Sequence, residues 1–419
     1  MPLSPWNELT RDGRLLFAAR VARMFGYGFL AVVLALYLSA LGLDETQIGL
    51  LLTLTLVGDT AISLWISTHA DRYGRRRMLV LGSLLILGAG LVFIATGRFV
   101  ILLVAATIGV ISPSGYEVGP FLAIEQAALS QTVADDQRTR TFAWYNLAGS
   151  FATAAGSLAG GGIARLGQGG GLTALASYRV VLAGYALIGL VLGWLFWRLS
   201  PAAEASRGAT PATARPGSRL GLHGSGGLVL RLSGLFALDA FGGGFVIQSV
   251  LAYWFYLRFG TDEGTLGAIF FGANLLAGVS ALAASAIAAR FGLVNTMVFT
   301  HLPSNVLLML VPLMPTLPLA ILVLLLRFSI SQMDVPTRQS YIMAIVRPEE
   351  RSAAAGITGT ARSVGAAAAP VFAGLLLANP AAMSGLFFIA GGLKIVYDLL
   401  LLRSFRQVRL PEEASRVGR

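Results

Sequence analysis

The sequence predicts an all-α integral membrane protein: twelve transmembrane helices arranged as two six-helix, pseudo-symmetric halves. Three observations lead there. The first is scarcity of charge: 56% of the 419 residues are hydrophobic and only 12% are charged, whereas soluble domains carry about a quarter charged residues. The 51 charged side chains (31 basic plus 20 acidic) cannot clothe a water-facing surface on a chain of this size. The second is a series of twelve apolar runs, each long enough to cross about 30 Å of hydrocarbon, which takes roughly 20 helical residues. The third is that the first six runs and their loops echo in the last six. The composition excludes a soluble enzyme and a disordered chain. The absence of cysteine excludes a disulfide scaffold and any thiolate metal site.

In chain order the runs are 14–41, 47–69, 77–97, 100–131, 139–166, 177–198, 229–258, 264–290, 294–314, 318–346, 351–378 and 383–403. The longer ones must tilt or protrude. Short buried helices of a soluble bundle would need polar faces toward water, and these runs have none. The first run follows a polar start containing Arg11 and Arg14 and lacks a small-residue cleavage site at the proper distance, so it reads as a retained span. An even number of spans puts both termini on one side. Twenty-one arginines fall on that side, including Arg72, Arg75 to Arg77, Arg138, Arg140, Arg290, Arg347 and Arg351, against four opposite (Arg98, Arg165, Arg179 and Arg258). The positive-inside rule then makes the termini and the 199–228 segment cytoplasmic, in a multi-pass protein of the cell's inner (plasma) membrane. The net charge of +11 belongs to those loops and gives no case for nucleic acid.

Residues 199–228 are rich in Ala, Gly, Ser, Pro and Arg and read as a flexible cytoplasmic linker between a 1–198 half and a 229–419 half with its tail. The halves align across it. At an offset of 218, Ile48-Gly49-Leu50 matches Leu266-Gly267-Ala268, and Arg72-Tyr73-Gly74 matches Arg290-Phe291-Gly292. Tyr37 maps to Tyr253 and Phe29 to Phe245 at 216; Gln126 and Arg138 map to Gln339 and Arg351 at 213. Parallel six-span repeats are a secondary-transporter architecture.

Between the second and third spans stands His69-Ala70-Asp71-Arg72-Tyr73-Gly74-Arg75-Arg76-Arg77. Gly74 permits a tight turn, and Asp71 can face a helix N-terminus or an arginine. The segment resembles the cytoplasmic loop signature of the major facilitator superfamily, G-x-x-x-D-R-x-G-R-R-x. It matches at Asp71, Arg72, Gly74, Arg75 and Arg76 and departs at the first glycine, where Ser67 or Thr68 stands. The resemblance implies the major facilitator fold and a gate latch on the cytoplasmic side that holds the outward-open state. The plainer alternative is a positive-inside anchor with one incidental acid. The second copy has Ala289 in place of the acid, which weakens any latch there. A glycine-rich fifth span (Gly149, Gly156, Gly160, Gly161, Gly162) is similar to the antiporter signature of the same family but lacks its proline, while the eleventh span has Gly365, Pro370 and Gly374. Close helix packing accounts for these glycines almost as well.

A charge at the bilayer centre costs on the order of 3 kcal/mol, so each needs a partner or a watery cavity. The family likeness implies that spans one, four, seven and ten line the central cavity. Span one holds Arg20 and Arg23; Arg20 is expected to snorkel to the surface. Arg23 either does likewise or pairs with Asp239, its repeat equivalent. Asp239 precedes Gly242-Gly243-Gly244, which weaken the helix. In span four, Pro113, Gly115, Gly119 and Pro120 must interrupt the helix, and Glu117 at that break is the leading candidate for proton coupling or substrate contact. Glu125 is expected beside Arg75 or Arg76 as part of the latch, or in a bridge to Arg338 of the other half. In span ten Asp334 and Arg338, four apart, form an intrahelical pair bent by Pro336, either self-neutralising or coupling. Tyr37, Tyr116, Tyr253 and Gln248 complete the expected cavity; Trp254 and Tyr256 suit an interfacial belt. Asp59, Lys394 and Asp398 are weaker candidates, the last two expected as a stabilising pair near a surface. Arg362 is expected to snorkel or meet Asp71, and His301 reads as structural.

The expected function is a secondary active transporter moving a small organic solute by alternating access, with proton-coupled efflux (antiport) leading. The alternatives are an uptake symporter or uniporter for a sugar or organic acid, and a lipid or lysolipid flippase. The expected partners are the solute, protons and the bilayer, for a monomer without cofactor or metal. No HExxH, GxSxG or GxxxxGK[ST] arrangement points to an enzyme or an ATP-driven pump.

Overall fold

A computed structural model describes residues 9–117, 119–133, 135–204, 224–347 and 350–405. Most of the 199–228 linker and the tail arginines beyond Arg403 lie outside the described residues. Within them the chain is helical, without a β-strand. The helices are α1 (Arg11–Ala31), α2 (Leu34–Ala40), α3 (Glu45–Tyr73), α4 (Arg75–Ala95), α5 (Phe99–Ile108), α6 (Phe121–Thr132), α7 (Asp135–Gly169), α8 (Ala174–Trp197), α9 (Gly226–Gly244), α10 (Gln248–Phe259), α11 (Glu263–Phe291), α12 (Leu293–Leu310), α13 (Leu317–Phe328), α14 (Asp334–Ile345), α15 (Arg351–Leu377) and α16 (Gly385–Phe405).

Among the described residues, eight helices are long and apolar enough to cross a membrane, with α9 and α10 taken as one. The count is nine when α1 and α2, bent by 42° at Val32–Val33, are joined. Each of the twelve apolar runs coincides with one helix or with two shorter helices in succession. The all-α membrane architecture expected from composition is therefore the one observed.

Capping chemistry sets several helix starts. Thr10 accepts from the Gly13 N–H at 3.1 Å to begin α1. Asp44 and Gln47 form a reciprocal capping box at α3. Glu204 accepts the N–H groups of Arg75 (2.6 Å) and Arg76 (3.2 Å) at the start of α4. Glu350 accepts those of Gly224 (2.7 Å) and Ser225 (3.1 Å) ahead of α9. A carboxylate meets the positive end of the helix dipole in both cases.

The chain clusters into two compact units: Met1–Ala209 with Ile247–Asn274, and Thr210–Val246 with Leu275–Arg419. Within the first, α1 runs along α7 and α4 along α8. Within the second, α9 runs along α15 and α12 along α16. Numbered by span, both units pack first against fifth and third against sixth, as a repeat requires. The close contacts have a common cause in missing side chains. A Cβ on Gly28, Gly156 or Gly160 would strike the backbone of Thr153, Phe25 or Phe29; one on Gly244 or Gly365 would strike that of Ala366 or Ala237. Gly74 (φ 100°) and Gly292 (φ 84°) make the equivalent turns, α3 to α4 and α11 to α12, in a conformation that side chains disfavour. In the second unit Phe236, Met297, Tyr341, Tyr397 and Phe405 form a buried core beneath the polar groups described next.

Candidate functional site

Spans one, four, seven and ten are each interrupted: α1/α2 at Val32–Val33, α5/α6 over 109–120, α9/α10 over 245–247 and α13/α14 over 329–333. The span-four break follows from its residues, with Gly115 at φ 72° and Gly119 at φ 83° beside two prolines. Pro336 bends nothing between Asp334 and Arg338. It sits in the first turn of α14, where no intrahelical N–H is needed. Backbone groups freed in spans one and four are met by one side chain and its own amide. Ser249 donates its N–H to the Pro113 carbonyl (3.0 Å) and its hydroxyl to that of Ala31 (2.7 Å). Irregular backbone at such depth is tolerated only beside protein or water, and broken helices of this kind mark transporter binding regions.

Beside these breaks lie two buried charge clusters, one within each unit. In the first unit the Arg23 guanidinium, wholly buried, donates Nε to Glu117 at 3.0 Å and Nη2 to Glu125 at 2.8 Å, with Nη1 also on Glu125. Arg20 pairs with the other Glu117 oxygen, and the Tyr145 hydroxyl donates to Glu125. The rings of Phe121 and Tyr145 lie against Arg23 and Arg20 at 4.6 and 5.1 Å. Two guanidiniums thus meet two carboxylates. Arg20 does not snorkel, because a buried carboxylate holds it inside. Glu125 does not reach Arg75 or Arg76, because Arg23 and Tyr145 occupy it.

In the second unit Asp239 of α9 is the hub. Lys394 Nζ lies 2.6 Å from Asp239 Oδ1; Arg338 and Arg362 approach Oδ2 at 3.4 and 3.5 Å. Arg338 also binds Asp334 at 2.8 Å, the intrahelical pair expected from their spacing. His301 bridges two acids, with Nδ1 2.9 Å from Asp398 and Nε2 3.7 Å from Asp239. Asn305 donates to Asp398 at 3.0 Å, and the Tyr397 ring packs edge-on to His301 at 5.9 Å. Three carboxylates (Asp239, Asp334, Asp398) therefore face three cations (Arg338, Arg362, Lys394), with His301 between. Lys394 and Asp398 are not a surface pair: both are buried, and each takes a different partner.

The repeat offsets relate the two clusters with the signs exchanged. Arg23 and Glu125, on spans one and four, correspond to Asp239 and Arg338 on spans seven and ten. Each ion pair closes within its own unit, so Arg23 takes its acids from the first unit and Asp239 its cations from the second.

The remaining expected residues divide. Tyr116 stands 41% exposed beside Glu117 at the break. Tyr37 is fully buried with its hydroxyl on the Phe93 carbonyl. Tyr253 is likewise buried, bonded to Ser39 (3.1 Å) and Glu45 (3.0 Å). Gln248 joins Ser157 (3.1 Å) and Asn274 (3.0 Å) in a buried polar network. Trp254 is buried rather than interfacial, while Tyr256 is exposed as a belt residue would be. In the loop motif Asp71 pairs with Arg75 at 2.8 Å but is 68% exposed, and Arg72 and Arg76 lie over Tyr73 and Trp197. Glu204, which the motif did not reveal, caps α4 there. Arg362 meets Asp239, not Asp71.

His301, Lys394, Asp398 and Arg20 are the polar residues that sequence reasoning undervalued. The available signal was their position within apolar runs, where a charge needs a partner. Asp59, rated a weak candidate, is a buried acid whose hydrogen bond to Ser63 is long, at 3.5 Å. Among the described residues it has no cation within ion-pair distance.

A family model described as Major Facilitator Superfamily matches residues 16–332 and 234–418. An uncharacterized membrane protein of Saccharomyces cerevisiae is 32% identical over 423 residues, covering 94% of each chain. Among solved structures, a D-xylose-proton symporter superposes with a TM-score of 0.74 at 15% identity, covering 96% of this chain and 98% of that one. The nucleoside transporter NupG gives 0.72 at 13% identity, covering 95% and 100%. An inward-facing, occupied structure of a bacterial homolog of the human lysosomal transporter Spinster gives 0.71 at 16%, covering 97% and 99%. At these identities the likeness concerns the fold.

Proposed function

Because the chain belongs to the Major Facilitator Superfamily, we propose that it moves a small organic solute across the membrane by alternating access and couples that movement to protons. The proton coupling rests on one observation: the linked groups Asp398, His301, Asp239 and Lys394, at 2.9, 3.7 and 2.6 Å, inside the second unit. With His301 neutral the cluster holds three positive and three negative groups; one proton on His301 leaves it one charge positive. A buried cluster does not tolerate that imbalance, so proton arrival favours whichever arrangement or bound solute compensates it.

Glu117, at the break in span four, is held by two arginines and serves here as an ion-pair partner that fixes Arg20 and Arg23. Of the α7 glycines that suggested export, Gly149, Gly156 and Gly160 meet α1 and Gly161 meets α11, so close helix packing accounts for most of them and weakens the support for that direction. The arginine bias supports cytoplasmic termini in a plasma-membrane protein. The Asp71–Arg75 pair and the Glu204 cap support a turn held rigid at the cytoplasmic end of α3 and α4, the part a gate latch would use.

The test is transport in proteoliposomes over a panel of labelled sugars, nucleosides, organic acids and amines, with and without an imposed pH gradient. At least one solute should accumulate only while the gradient stands and equilibrate when it is collapsed. Accumulation indifferent to the gradient for every transported solute would exclude proton coupling.

A further inference from the structure

Asp239 carries more cation than one carboxylate can use. Lys394 takes one oxygen at 2.6 Å, and the other is shared by Arg338 (3.4 Å) and Arg362 (3.5 Å). Arg338 has a better partner in Asp334 at 2.8 Å. Among the described residues Arg362 has none: its contact with Asp239, at 3.5 Å, stands at the outer limit of a hydrogen bond. It is also the accessible member, with 34% of its side chain exposed against 9% or less for Lys394, Arg338 and Asp239.

Its depth gives that exposure meaning. Arg362 follows the first residue of α15 by eleven positions, which places it roughly 16 Å along the helix. A guanidinium facing hydrocarbon there would be costly, so its exposed side must face water. Gly359 lies three positions earlier, on the same helix face, and Gly356 six positions earlier. A side-chain carbon on either would meet nothing within 4 Å. Open space therefore leads along α15 to a partly satisfied, planar cation that can bind a two-oxygen anion in bidentate fashion.

We infer that Arg362 is the solute-recognition residue of the second unit and that the solute is an organic anion, carrying a carboxylate, sulfonate or phosphonate group. The inference rests on the transport reading above and names the substrate class for it. An anion at Arg362 enters a cluster that a proton on His301 has left one charge positive, so solute and proton bind together and travel the same way. The groups in contact with His301 are Asp239 from α9, Asn305 from α12, and Tyr397 and Asp398 from α16; Lys394, Arg338 and Arg362 reach it through Asp239, and Asp334 through Arg338. From α13, Arg327 lies over the ring of its neighbour Phe328 at 4.9 Å.

Thermal unfolding of the purified full-length protein in detergent tests this without requiring transport. The probes are benzenesulfonate and hexanesulfonate, the neutral benzyl alcohol and hexanol, and the cationic benzyltrimethylammonium and hexyltrimethylammonium, each titrated to about 10 mM. At least one sulfonate should raise the Tm in a saturable way while its neutral and cationic counterparts do not. Arg362→Gln should weaken that sulfonate at least tenfold, and Arg362→Lys less, each read as the sulfonate-induced shift from that variant's own ligand-free Tm. Stabilisation by the cations or alcohols alone, no response to either sulfonate, or an unchanged sulfonate response in Arg362→Gln would each overturn the assignment. Sulfonate binding without gradient-driven transport would leave the assignment standing and remove the coupling instead.

Discussion

Arg23 offers a perturbation whose size can be worked from the structure. It is fully buried and divides four hydrogen bonds between two carboxylates, reaching Glu117 at 3.0 and 3.3 Å and Glu125 at 2.8 Å and through Nη1. Substituting Arg23→Met leaves one cation, Arg20, for two acids. Glu117 keeps Arg20, but Glu125, itself fully buried, keeps only the neutral Tyr145 hydroxyl. Removing one partner of a buried ion pair costs about 3–5 kcal/mol, because the other charge is stranded. Adding Glu125→Leu restores one cation to one acid and replaces the stranded charge with an apolar group of similar size, a change that is often neutral or better. The double variant should therefore recover most of the loss. Equilibrium unfolding in mixed micelles, followed by tryptophan fluorescence, gives the three free-energy changes. The cycle should show a favourable coupling of about 2–3 kcal/mol, at the upper end for contacting residues. A double variant as unstable as the sum of the two singles would refute the reasoning.

In the second unit Asp239→Asn and Asp334→Asn each leave three cations to two acids, but Asp239→Asn strips an acid from Lys394, Arg338 and Arg362 together and should destabilise more than Asp334→Asn, which leaves Arg338 its Asp239 contact, in the same unfolding assay. Gly28→Ala drives a methyl into the Thr153 backbone and should cost about 1–3 kcal/mol, whereas Gly162→Ala, with open space before it, should be neutral; melting temperatures compare them. Glu204→Ala removes two bonds from the start of α4 and should cost about 1 kcal/mol, while Asp71→Ala, on an exposed side chain, should leave stability unchanged and lower transport rate if the motif latches a gate. Since the chain has no native cysteine, Arg258→Cys should react with an impermeant maleimide in intact cells and Arg290→Cys only after permeabilisation, if the termini are cytoplasmic.

Fold and breaks were legible because they follow from one-dimensional signals. Apolar length marks a span, and Pro113, Gly115, Gly119 and Pro120 within eight residues cannot continue a helix. Asp334 and Arg338 were legible as a pair because four residues make one helical turn. The repeat offsets map Arg23 to Asp239 and Glu125 to Arg338, and each of the pairs Arg23–Glu125 and Asp239–Arg338 joins the first span of its unit to the fourth. Their partners were misassigned, because a sequence offset relates positions and says nothing of distance. Arg23 closes on Glu125, and Asp239 on Arg338, within a unit. Lys394 and His301 were misjudged for the same reason: Lys394 has an acid four residues on, yet its partner stands 155 positions earlier on α9. Helix contacts such as α9 with α15 and α12 with α16 bring those groups together, and only tertiary packing reveals them.

The central claim is that His301, set between two acids, carries the proton that drives the solute. Proteoliposomes enclosing a pH-sensitive dye, pulsed with the solute identified in the accumulation panel, test it most directly when parent and His301→Gln protein are compared. The account predicts a solute-evoked pH change in the parent. It further predicts that His301→Gln abolishes that change but leaves downhill exchange of labelled solute intact. A His301→Gln protein that moves protons with solute as the parent does would contradict it.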